Sequence, residues 1–373
     1  MIYLDNAATS RFKPKTVLDA LNFDVLHSAN SGRSGYADAL KKSIQIENCR
    51  KYLLDVLHGD STHDIIFTKN CTEALNLAIL GSIKGGERVV TSDNEHNSVL
   101  RPLFHLQNEG KIKLTVISAK NDGKIDLSDL KAVAKEADVF VLGGACNVTG
   151  ATLDLYEVGK IAKENGVIFI VDGAQSVPYC QIDLKECNVS ALACPGHKGL
   201  HGIQGTGFLA KRKDFDIKPL LFGGTGTRSQ ELLPSIETPE SYEAGTMFSG
   251  GIAALQKGAE WTYNNLQNIK NNIVRLSKNT ILNLESLGAK VYTHETMCGV
   301  IAFNLRDVDS AYIADVLNEN GIAVRAGLHC APLVHKRLGT LTQGAVRVSI
   351  GVDNTDKDIV TFSSVIEKIV KTL

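Results

Sequence analysis

Short hydrophobic runs alternate with amphipathic stretches through the first half of the chain. Runs rich in valine and isoleucine predict strands at 64–69, 88–92, 114–118, 139–143 and 167–172. Hydrophobic positions at helical spacing predict helices around them, most clearly at 39–57, 72–80, 127–135 and 156–165. Uniformly apolar strands that alternate with helices are typical of a largely parallel sheet covered on both faces. We therefore expect an α/β fold.

The pattern changes in the second half of the chain. Residues 219–251 are rich in Gly, Thr, Ser and Pro, which predicts an irregular segment with a functional role. A long helical pattern at 252–287 then predicts a helix that joins a large domain to a smaller one. In the smaller domain the patterns predict strands at 299–305 and 345–349 and helices at 310–320 and 357–371.

The composition of the 373 residues, 43% hydrophobic and 22% charged, is ordinary for a globular protein of about two domains. The formal net charge of -1 offers no basic surface, so we expect neither nucleic acid nor a membrane as a partner. No apolar run approaches the roughly 18 residues of a membrane-spanning helix. The first residues, MIYLDNAATS, form neither a basic leader nor an apolar signal core, which favours a cytoplasmic location.

Eight cysteines are scattered along the chain without a CxxC pair: Cys49, Cys71, Cys146, Cys180, Cys187, Cys194, Cys298 and Cys330. In a cytoplasmic chain we expect most of them to be reduced and buried as small hydrophobic side chains. Their spacing matches no zinc signature, so we expect no metal. A reactive cysteine must therefore be recognised by its surroundings.

One lysine, Lys198, lies among glycines in the stretch 193–210, which reads ACPGHKGLHGIQGTGFLA. Gly196 and Gly199 allow the backbone to turn tightly and to approach a ligand closely. On its own the stretch also fits a surface turn with a solvated lysine. Polar residues elsewhere in the chain decide between these interpretations.

Polar residues follow successive predicted strands, at the edge where open α/β sheets bind their ligands. They are His96, Asn147, Asp172 and Gln175. Each alone also fits an ordinary loop or turn. Together with Lys198 they supply an imidazole, amides, a carboxylate and an amine, which are the groups that pyridoxal phosphate (PLP) requires.

A predicted helix start offers a place for the phosphate. Cys71 and Thr72 follow the strand at 64–69, and backbone N–H groups with a hydroxyl at a helix N-terminus bind anions. The same residues also fit an ordinary helix cap.

Cys330 lies in the loop RAGLHCAP, near Arg325 and directly after His329. Positive neighbours and exposure favour a reactive thiolate. A buried structural cysteine is one alternative, and a metal site with His329 and His335 is another, although their spacing matches no usual zinc pattern. Arg347, in an apolar strand, suits a two-pronged contact with a carboxylate, or else a surface salt bridge.

Several motifs occur in a fixed order: FTKNCTEALNLA, EHNS, NVTG, VDGAQS, GHKGLHGIQGTG and YEAGT, then RAGLHCAP and VRVSIGVDNT. In this order they resemble the class V aminotransferase group of fold-type I PLP enzymes. The last two narrow the resemblance to the cysteine desulfurase and selenocysteine lyase branch. The short interval between Cys330 and the VRVS strand resembles group II of that branch. The similarity extends from YLDNAAT at the start into the C-terminal domain.

The resemblance implies a role for each matching residue of the cofactor site. Lys198 is expected to form the Schiff base with PLP and to act as the base at the substrate Cα. His96 is expected to stack on the ring and handle a proton near the substrate sulfur, and Asp172 to pair with the ring nitrogen. The other expected cofactor contacts are Gln175 and Asn147 to the ring oxygen, Cys71, Thr72 and His197 to the phosphate, and Thr246 to the phosphate of the neighbouring subunit in a homodimer.

For the substrate, the resemblance implies that Cys330 attacks the sulfur of L-cysteine. The products are L-alanine and a persulfide whose sulfur passes to an acceptor protein or small thiol. Arg347 is expected to bind the substrate carboxylate together with Arg325 and Asn147, with Arg33 at the entrance. The implied domains are an N-terminal segment at 1–15 associated with the small domain, a large PLP-binding domain at 16–255, and the long helix with the small domain at 256–373.

Two positions depart from the family pattern. Pro195 replaces a Ser or Thr whose hydroxyl binds the phosphate, and proline has neither a hydroxyl nor an amide donor. Cys71 stands where relatives often carry Thr. Alternative functions are a selenocysteine lyase or another C–S lyase on the same scaffold, an aminotransferase, and a cofactor-free scaffold protein in sulfur trafficking.

Overall fold

The computed structural model of the protein describes residues 1–31, 35–225, 230, 232–233 and 237–373. The helices are α1 (Lys15–Leu26), α2 (Ala37–Val56), α3 (Cys71–Ser82), α4 (Asn97–Asn108), α5 (Leu127–Ala134), α6 (Leu155–Asn165), α7 (Ser249–Ser286), α8 (Ser310–Glu319), α9 (Pro332–Leu338) and α10 (Asp356–Thr372). The strands are β1 (Ile2–Tyr3), β2 (His63–Thr68), β3 (Glu87–Ser92), β4 (Ile112–Ile117), β5 (Val139–Gly143), β6 (Ile168–Asp172), β7 (Ala191–Pro195), β8 (Gly207–Arg212), β9 (Lys290–Val291), β10 (Val300–Asn304), β11 (Ile322–Ala323), β12 (Arg325–Gly327) and β13 (Ala345–Ser349).

A seven-stranded sheet in the order β2-β8-β7-β6-β5-β3-β4 forms the centre of the larger part of the molecule. Its pairs are parallel except that β8 is antiparallel to both of its neighbours. The carboxyl ends of β3, β5, β6 and β7 therefore meet at one edge. This edge is where open α/β sheets bind ligands.

Alternate residues of the central strands enter two cores on opposite faces, as the two-residue period of a strand requires. In β5, Phe140 and Leu142 pack with residues of α2, α5, α6 and α7. Val139 and Val141 point the other way and pack with residues of α3 and α4. The uniformly hydrophobic strands are thus buried on both faces, and the predicted α/β fold with a mostly parallel sheet is confirmed.

A second, antiparallel sheet in the order β12-β13-β10-β9 lies in the C-terminal part of the chain. Its core includes residues of α8 and α10. The N-terminal strand β1 pairs in parallel with β11, and Leu4 is buried in this same C-terminal core. The exact limits of the two domains stay a prediction.

Helix α7, with 38 residues, contributes to both cores. Ile252 and Leu255 near its start pack under the seven-stranded sheet. Ile269 and Leu276 farther along pack in the C-terminal core. The helix begins at Ser249, slightly before the start that the hydrophobic pattern predicts, because its first turn carries Gly250 and Gly251, which have no periodic signal.

The sequence pattern did not predict α1, β7 or β8. The strand β7 reads ALACP and lacks β-branched residues, so its composition gives a weak strand signal. Its extended conformation comes from its neighbours, because Ala193 pairs with Asp172 of β6 on one side and with Leu209 of β8 on the other. Tertiary pairing decides this element.

The eight cysteines are all free, and Cys330 alone among them is exposed. Within the described ranges, no helix combines the length and the apolar character that crossing a membrane requires.

Helix α6 approaches the segment before β7 most closely at Gly159. A Cβ at this position would lie 1.9 Å from the carbonyl oxygen of Cys187, a backbone atom that cannot move aside alone. We expect Gly159→Ala to lower the free energy of unfolding by about 3 kcal/mol, the upper part of the range for overpacking. Denaturant unfolding measures this loss. Gly35→Ala is the control, because a Cβ there meets no atom within 4 Å; an equal loss in both variants would contradict the packing argument.

Candidate active site

A cleft opens at the carboxyl edge of the seven-stranded sheet, the edge where open α/β sheets bind ligands. It brings together most of the residues predicted for the cofactor: Cys71, Thr72, His96, Asn147, Asp172, Gln175, His197 and Lys198. These residues come from five separate segments of the chain. Their convergence follows from the parallel strand order.

Lys198 follows β7 and is partly buried in this cleft. Its Nζ has no hydrogen bond or ion pair with any residue in the described part of the chain. Burial lowers the pKa of Lys198, the positive charges of Arg347 and Arg325 act in the same direction, and the Asp172 carboxylate opposes them. More of the amine is therefore neutral than in an ordinary lysine, and the neutral form is the one that acts as a base and nucleophile.

Asp172 ends β6 and is 6% exposed. Its Oδ1 accepts hydrogen bonds from the Ala174 amide at 2.8 Å and from the Cys71 thiol at 3.5 Å. Among the described residues Asp172 has no ion-pair partner, and Oδ2 has no hydrogen bond. A carboxylate so deeply placed at a strand end is costly without a positive partner, so the site is suited to a cationic ring nitrogen.

Cys71 and Thr72 begin α3, whose N-cap Asn70 accepts a hydrogen bond from the Glu73 amide through its side chain. The Cys71 side chain is buried and directed at Asp172, and burial raises its pKa well above the ordinary value. Cys71 therefore presents only its backbone amide to the helix N-terminus. Thr72 is exposed. No described residue accepts a hydrogen bond from the amides of Cys71 and Thr72, which leaves them available to an anion.

His96 caps the N-terminus of α4 through its ring. Its Nδ1 accepts a hydrogen bond from the Ser98 amide at 3.0 Å and contacts the Ser98 hydroxyl at 2.8 Å. Burial lowers the pKa of His96 to about 4, so the imidazole is neutral at pH 7. Because Nδ1 accepts, the single ring proton lies on Nε2.

Three further cleft residues have polar atoms whose hydrogen-bonding capacity is not used by the chain. Asn147 Oδ1 and His197 Nδ1 are buried without a hydrogen-bond partner, and buried polar atoms in this state are rare. Gln175 uses one amide hydrogen to bond the Ala7 carbonyl at 3.0 Å and keeps the other. Burial lowers the pKa of His197 to about 4, so this ring is also neutral.

Pro195 ends β7 opposite Gly207 and supplies no hydroxyl. The phosphate-binding donors that remain are the amides of Cys71 and Thr72, the Thr72 hydroxyl and the His197 ring. This set still fits a phosphate at a helix N-terminus.

Cys330 lies just outside the cleft, in the loop between β12 and α9. The backbone of this loop is fastened to the residues around the cleft at two successive carbonyls. Asn147 Nδ2 donates to the His329 carbonyl at 2.7 Å, and the Asn97 amide donates to the Cys330 carbonyl at 2.7 Å. The Cys330 side chain remains exposed.

The loop is strained at this point. His329 and Cys330 have φ angles of 50° and 56°, in the left-handed region that residues with a Cβ rarely adopt. Such a residue costs about 1–3 kcal/mol and persists only where surrounding contacts enforce it. The two carbonyl hydrogen bonds are part of that enforcement.

Two buried histidine side chains, His329 in the loop and His335 in α9, contact each other and support the loop. His329 Nδ1 and His335 Nε2 are 3.3 Å apart, and His335 Nδ1 contacts the Thr340 hydroxyl at 2.8 Å. Burial lowers the pKa of His335 to about 4 and that of His329 farther. The rings are therefore neutral and bonded to each other. In the part of the chain that the structure describes, no group of three His, Cys, Asp or Glu side chains could hold a metal ion.

Arg347 and Arg325 lie directly opposite each other on β13 and β12. Arg347 is 1% exposed; its Nη1 donates to the Asn147 carbonyl at 3.1 Å and its Nη2 to Asp5 at 2.8 Å. Its Nε–H is buried without a partner. The Arg325 guanidinium has no hydrogen bond or ion pair with a described residue. Two adjacent cations balanced by one carboxylate, Asp5, leave a net positive charge next to Asn147.

Thr246 does not line this cleft. It is exposed and borders a separate surface pocket with Thr68, Glu73 and Phe248. Its side chain is therefore accessible at the surface of the chain. Arg33, predicted at the entrance, lies outside the described residues.

Sequence reasoning missed Glu95, a cleft residue that is 2% exposed. Its Oε1 accepts a hydrogen bond from the Ser92 hydroxyl at 2.5 Å. Burial raises the pKa of Glu95 to about 8, the Ser92 hydrogen bond opposes this shift, and the charge of Asp172 adds to it. The carboxyl is therefore largely neutral at pH 7, which keeps Asp172 the main anion of the cleft. Its position beside His96, directly after a strand, was the available signal.

The raised pKa of Glu95 predicts a pH-dependent penalty on stability. The pKa of Glu95 is 4.5 in the unfolded chain and about 8 in the folded one. The contribution of Glu95 to stability is therefore complete below pH 4.5 and is lost as the pH rises to about 8. We expect Glu95→Gln to melt with the wild type at pH 4.5 and a few degrees higher at pH 9. Thermal unfolding of both proteins across this range measures the difference. The exposed Glu285→Gln is the control, and a constant offset at all pH values would contradict the prediction.

Comparisons with known proteins place the chain in a family. A family model described as aminotransferase class-V matches residues 2–362. A probable cysteine desulfurase of Pyrococcus abyssi is 35% identical over 385 residues, which cover 100% of this chain and 95% of that protein. A probable cysteine desulfurase of Methanothermobacter thermautotrophicus is 31% identical, with 99% and 94% covered.

Solved structures agree. The apo structure of a cysteine desulfurase from Thermococcus onnurineus superimposes with a TM-score of 0.93 at 34% identity, covering 100% of this chain and 95% of that one. The cysteine desulfurase CsdA from Escherichia coli gives a TM-score of 0.87 at 25% identity, with the same coverage. The predicted fold, that of fold-type I PLP enzymes, is thereby confirmed. The chain belongs to the class V aminotransferase family.

Proposed function

We propose that this protein is a PLP-dependent cysteine desulfurase that converts L-cysteine to L-alanine and holds the sulfur as a persulfide on Cys330. The position of Cys330 is the main support for this proposal. Cys330 is the one exposed cysteine, and its strained loop is bonded to Asn147, which lines the cleft, and to Asn97, which follows the cleft residue His96. A nucleophilic thiol is thereby held beside a lysine–carboxylate cleft.

The cleft residues fit PLP. Lys198 offers an unpaired amine, Asp172 an unpaired carboxylate oxygen, and Asn147 and His197 buried atoms that lack a partner. The N-terminus of α3 with Thr72 would hold the phosphate. When bound, PLP supplies an electron sink that weakens the bonds at Cα and Cβ of an amino acid.

The residues of the chain then have separable tasks. Lys198 takes the proton from the substrate Cα, a role that its lowered pKa favours because more of the amine is neutral. His96 holds a proton on Nε2 near the substrate sulfur. Arg347 and Arg325 bind the substrate carboxylate, which offsets the repulsion between these two neighbouring cations.

Cys330 receives the sulfur. Its thiolate attacks the substrate sulfur, so an S–S bond forms while the Cβ–S bond breaks. The electron pair of the broken bond stays with the carbon fragment, which takes up a proton at Cβ, regains one at Cα and leaves as L-alanine. The carbon is reduced as the sulfur is oxidised, so the step needs no further redox partner. A protein or small thiol accepts the sulfur by thiol exchange.

The proposal includes a cytoplasmic homodimer in which Thr246 reaches the phosphate of the neighbouring subunit. The free state of all eight cysteines is in keeping with a reducing compartment. The outward position of Thr246 supports the role in the neighbouring site.

Incubation with L-cysteine tests the reaction. The wild type should release L-alanine, and Cys330→Ser and Lys198→Ala should each lower the rate by at least about a hundredfold. Cys180→Ser, at a partly buried cysteine outside the cleft, is the matched control and should keep the wild-type rate. Wild-type turnover in Cys330→Ser would overturn the persulfide step. In the wild type, turnover of selenocysteine without turnover of L-cysteine would support a selenocysteine lyase, and a requirement for a 2-oxo acid would support an aminotransferase.

Mixed dimers test the role of Thr246. We expect Thr246→Val to weaken PLP binding about tenfold, since a hydrogen bond to a charged group is lost. Co-expression of Lys198→Ala with Thr246→Val should restore one complete site per mixed dimer, because Lys198 and Thr246 of that site come from different protomers. Absence of restoration, with both variants dimeric, would show that Thr246 serves its own subunit or neither.

A further inference from the structure

An ion pair outside the cleft links the helix that follows Cys330 to the loop that precedes His96. Arg337, in α9, donates through Nη1 to Asp93 and through Nη2 to Asn94 Oδ1, the latter at 2.8 Å. Both charged side chains are only 10% exposed. The pair joins two segments that are 244 residues apart in the chain.

Asp93 is itself fixed to the central sheet. The same carboxylate oxygen that meets Arg337 accepts a hydrogen bond from the Ala119 amide at 3.0 Å, and the Asp93 amide donates to the Ile117 carbonyl at 2.9 Å. Arg337 is thus bound to a rigid point, three residues before His96. The ion pair therefore fixes α9 relative to the seven-stranded sheet.

The Cys330 loop lies between two attachments to this one segment. At one end the Asn97 amide binds the Cys330 carbonyl, and at the other Arg337 binds Asp93. A loop with left-handed φ angles at His329 and Cys330 relaxes toward other conformations unless both of its sides are held. On the α9 side, Val334 packs in a small buried core with Cys146 and Val148, and the Arg337–Asp93 pair adds the polar contact that fixes this helix to the segment before His96.

We propose that Arg337 and Asp93 are positioning residues that hold the Cys330 thiol over the cleft. The pair touches neither substrate nor cofactor and acts through the loop. The inference rests on the proposed desulfurase function, in which a misplaced thiol slows sulfur transfer without altering the cleft. A displacement of about 1 Å at a reacting group can cost about a hundredfold in rate.

Hydrogen exchange in the cofactor-free protein tests the geometry directly. In Arg337→Gln we expect the amide of Asn97 to exchange at least about tenfold faster, since its acceptor is the Cys330 carbonyl of the released loop. The matched control is Arg275→Gln, which removes an Arg–Asp pair between α7 and α10 in the same C-terminal part. Unchanged exchange at Asn97, or the same acceleration in Arg275→Gln, would overturn the proposal.

Steady-state kinetics of the PLP-loaded enzyme give a second readout. Arg337→Gln should lower kcat for L-cysteine at least about tenfold while KM and cofactor affinity stay within about twofold. A fall in kcat together with a higher KM and a lower cofactor affinity would indicate general destabilisation and contradict a positioning role. Arg337→Lys keeps the charge on Asp93 and loses the Asn94 bond, so we expect an intermediate effect on both readouts. If Arg337→Gln does not fold, wild-type exchange and kcat in Arg337→Lys would overturn the proposal.

The two hypotheses fail in different ways. If the wild type releases no alanine, the proposed function is wrong, whereas the exchange rate of Asn97 still reports whether Arg337 holds the loop. If the wild type is active and Arg337→Gln matches it in exchange and kcat, only the positioning role is wrong.

Discussion

Two hydrogen bonds to successive carbonyls, from Asn147 to His329 and from Asn97 to Cys330, hold the C-terminal part of the chain against the strand-end cleft. The position of Cys330 relative to the cleft depends on them. They place the one exposed cysteine of the protein next to the cleft that Lys198 and Asp172 line, although Cys330 belongs to the C-terminal part of the chain. They also stabilise a backbone conformation that Cys330 would not adopt freely.

Burial shifts the pKa values of several ionisable side chains in the cleft and so sets their charge. Asp172 is its main anion, because Glu95 beside it is largely neutral with a pKa of about 8. The imidazoles of His96 and His197 are neutral because burial lowers the pKa of each to about 4. Cationic charge comes instead from the two neighbouring arginines, Arg347 and Arg325. A substrate carboxylate therefore meets positive charge from these arginines, and neither Glu95 nor the two histidines adds a charge that opposes it.

The sequence allowed the α/β class and the convergence of polar residues at strand ends to be predicted, because hydrophobic runs mark buried strands and parallel strands share one edge. It did not reveal β7, whose ALACP sequence is extended only through its pairing with β6 and β8. Contacts between residues far apart in the sequence could not be predicted either. The Asp5–Arg347 and Asp93–Arg337 pairs join residues more than 200 positions apart, and no local pattern marks them.

In the proposed reaction, sulfur from L-cysteine becomes bonded to Cys330. Mass spectrometry of the Cys330 peptide, after incubation of the PLP-loaded protein with sulfur-labelled L-cysteine under non-reducing conditions, tests this most directly. We expect a gain of one labelled sulfur atom on that peptide, reversed by a thiol reductant. Release of alanine with no labelled sulfur on Cys330, or with the label on another cysteine, would contradict it.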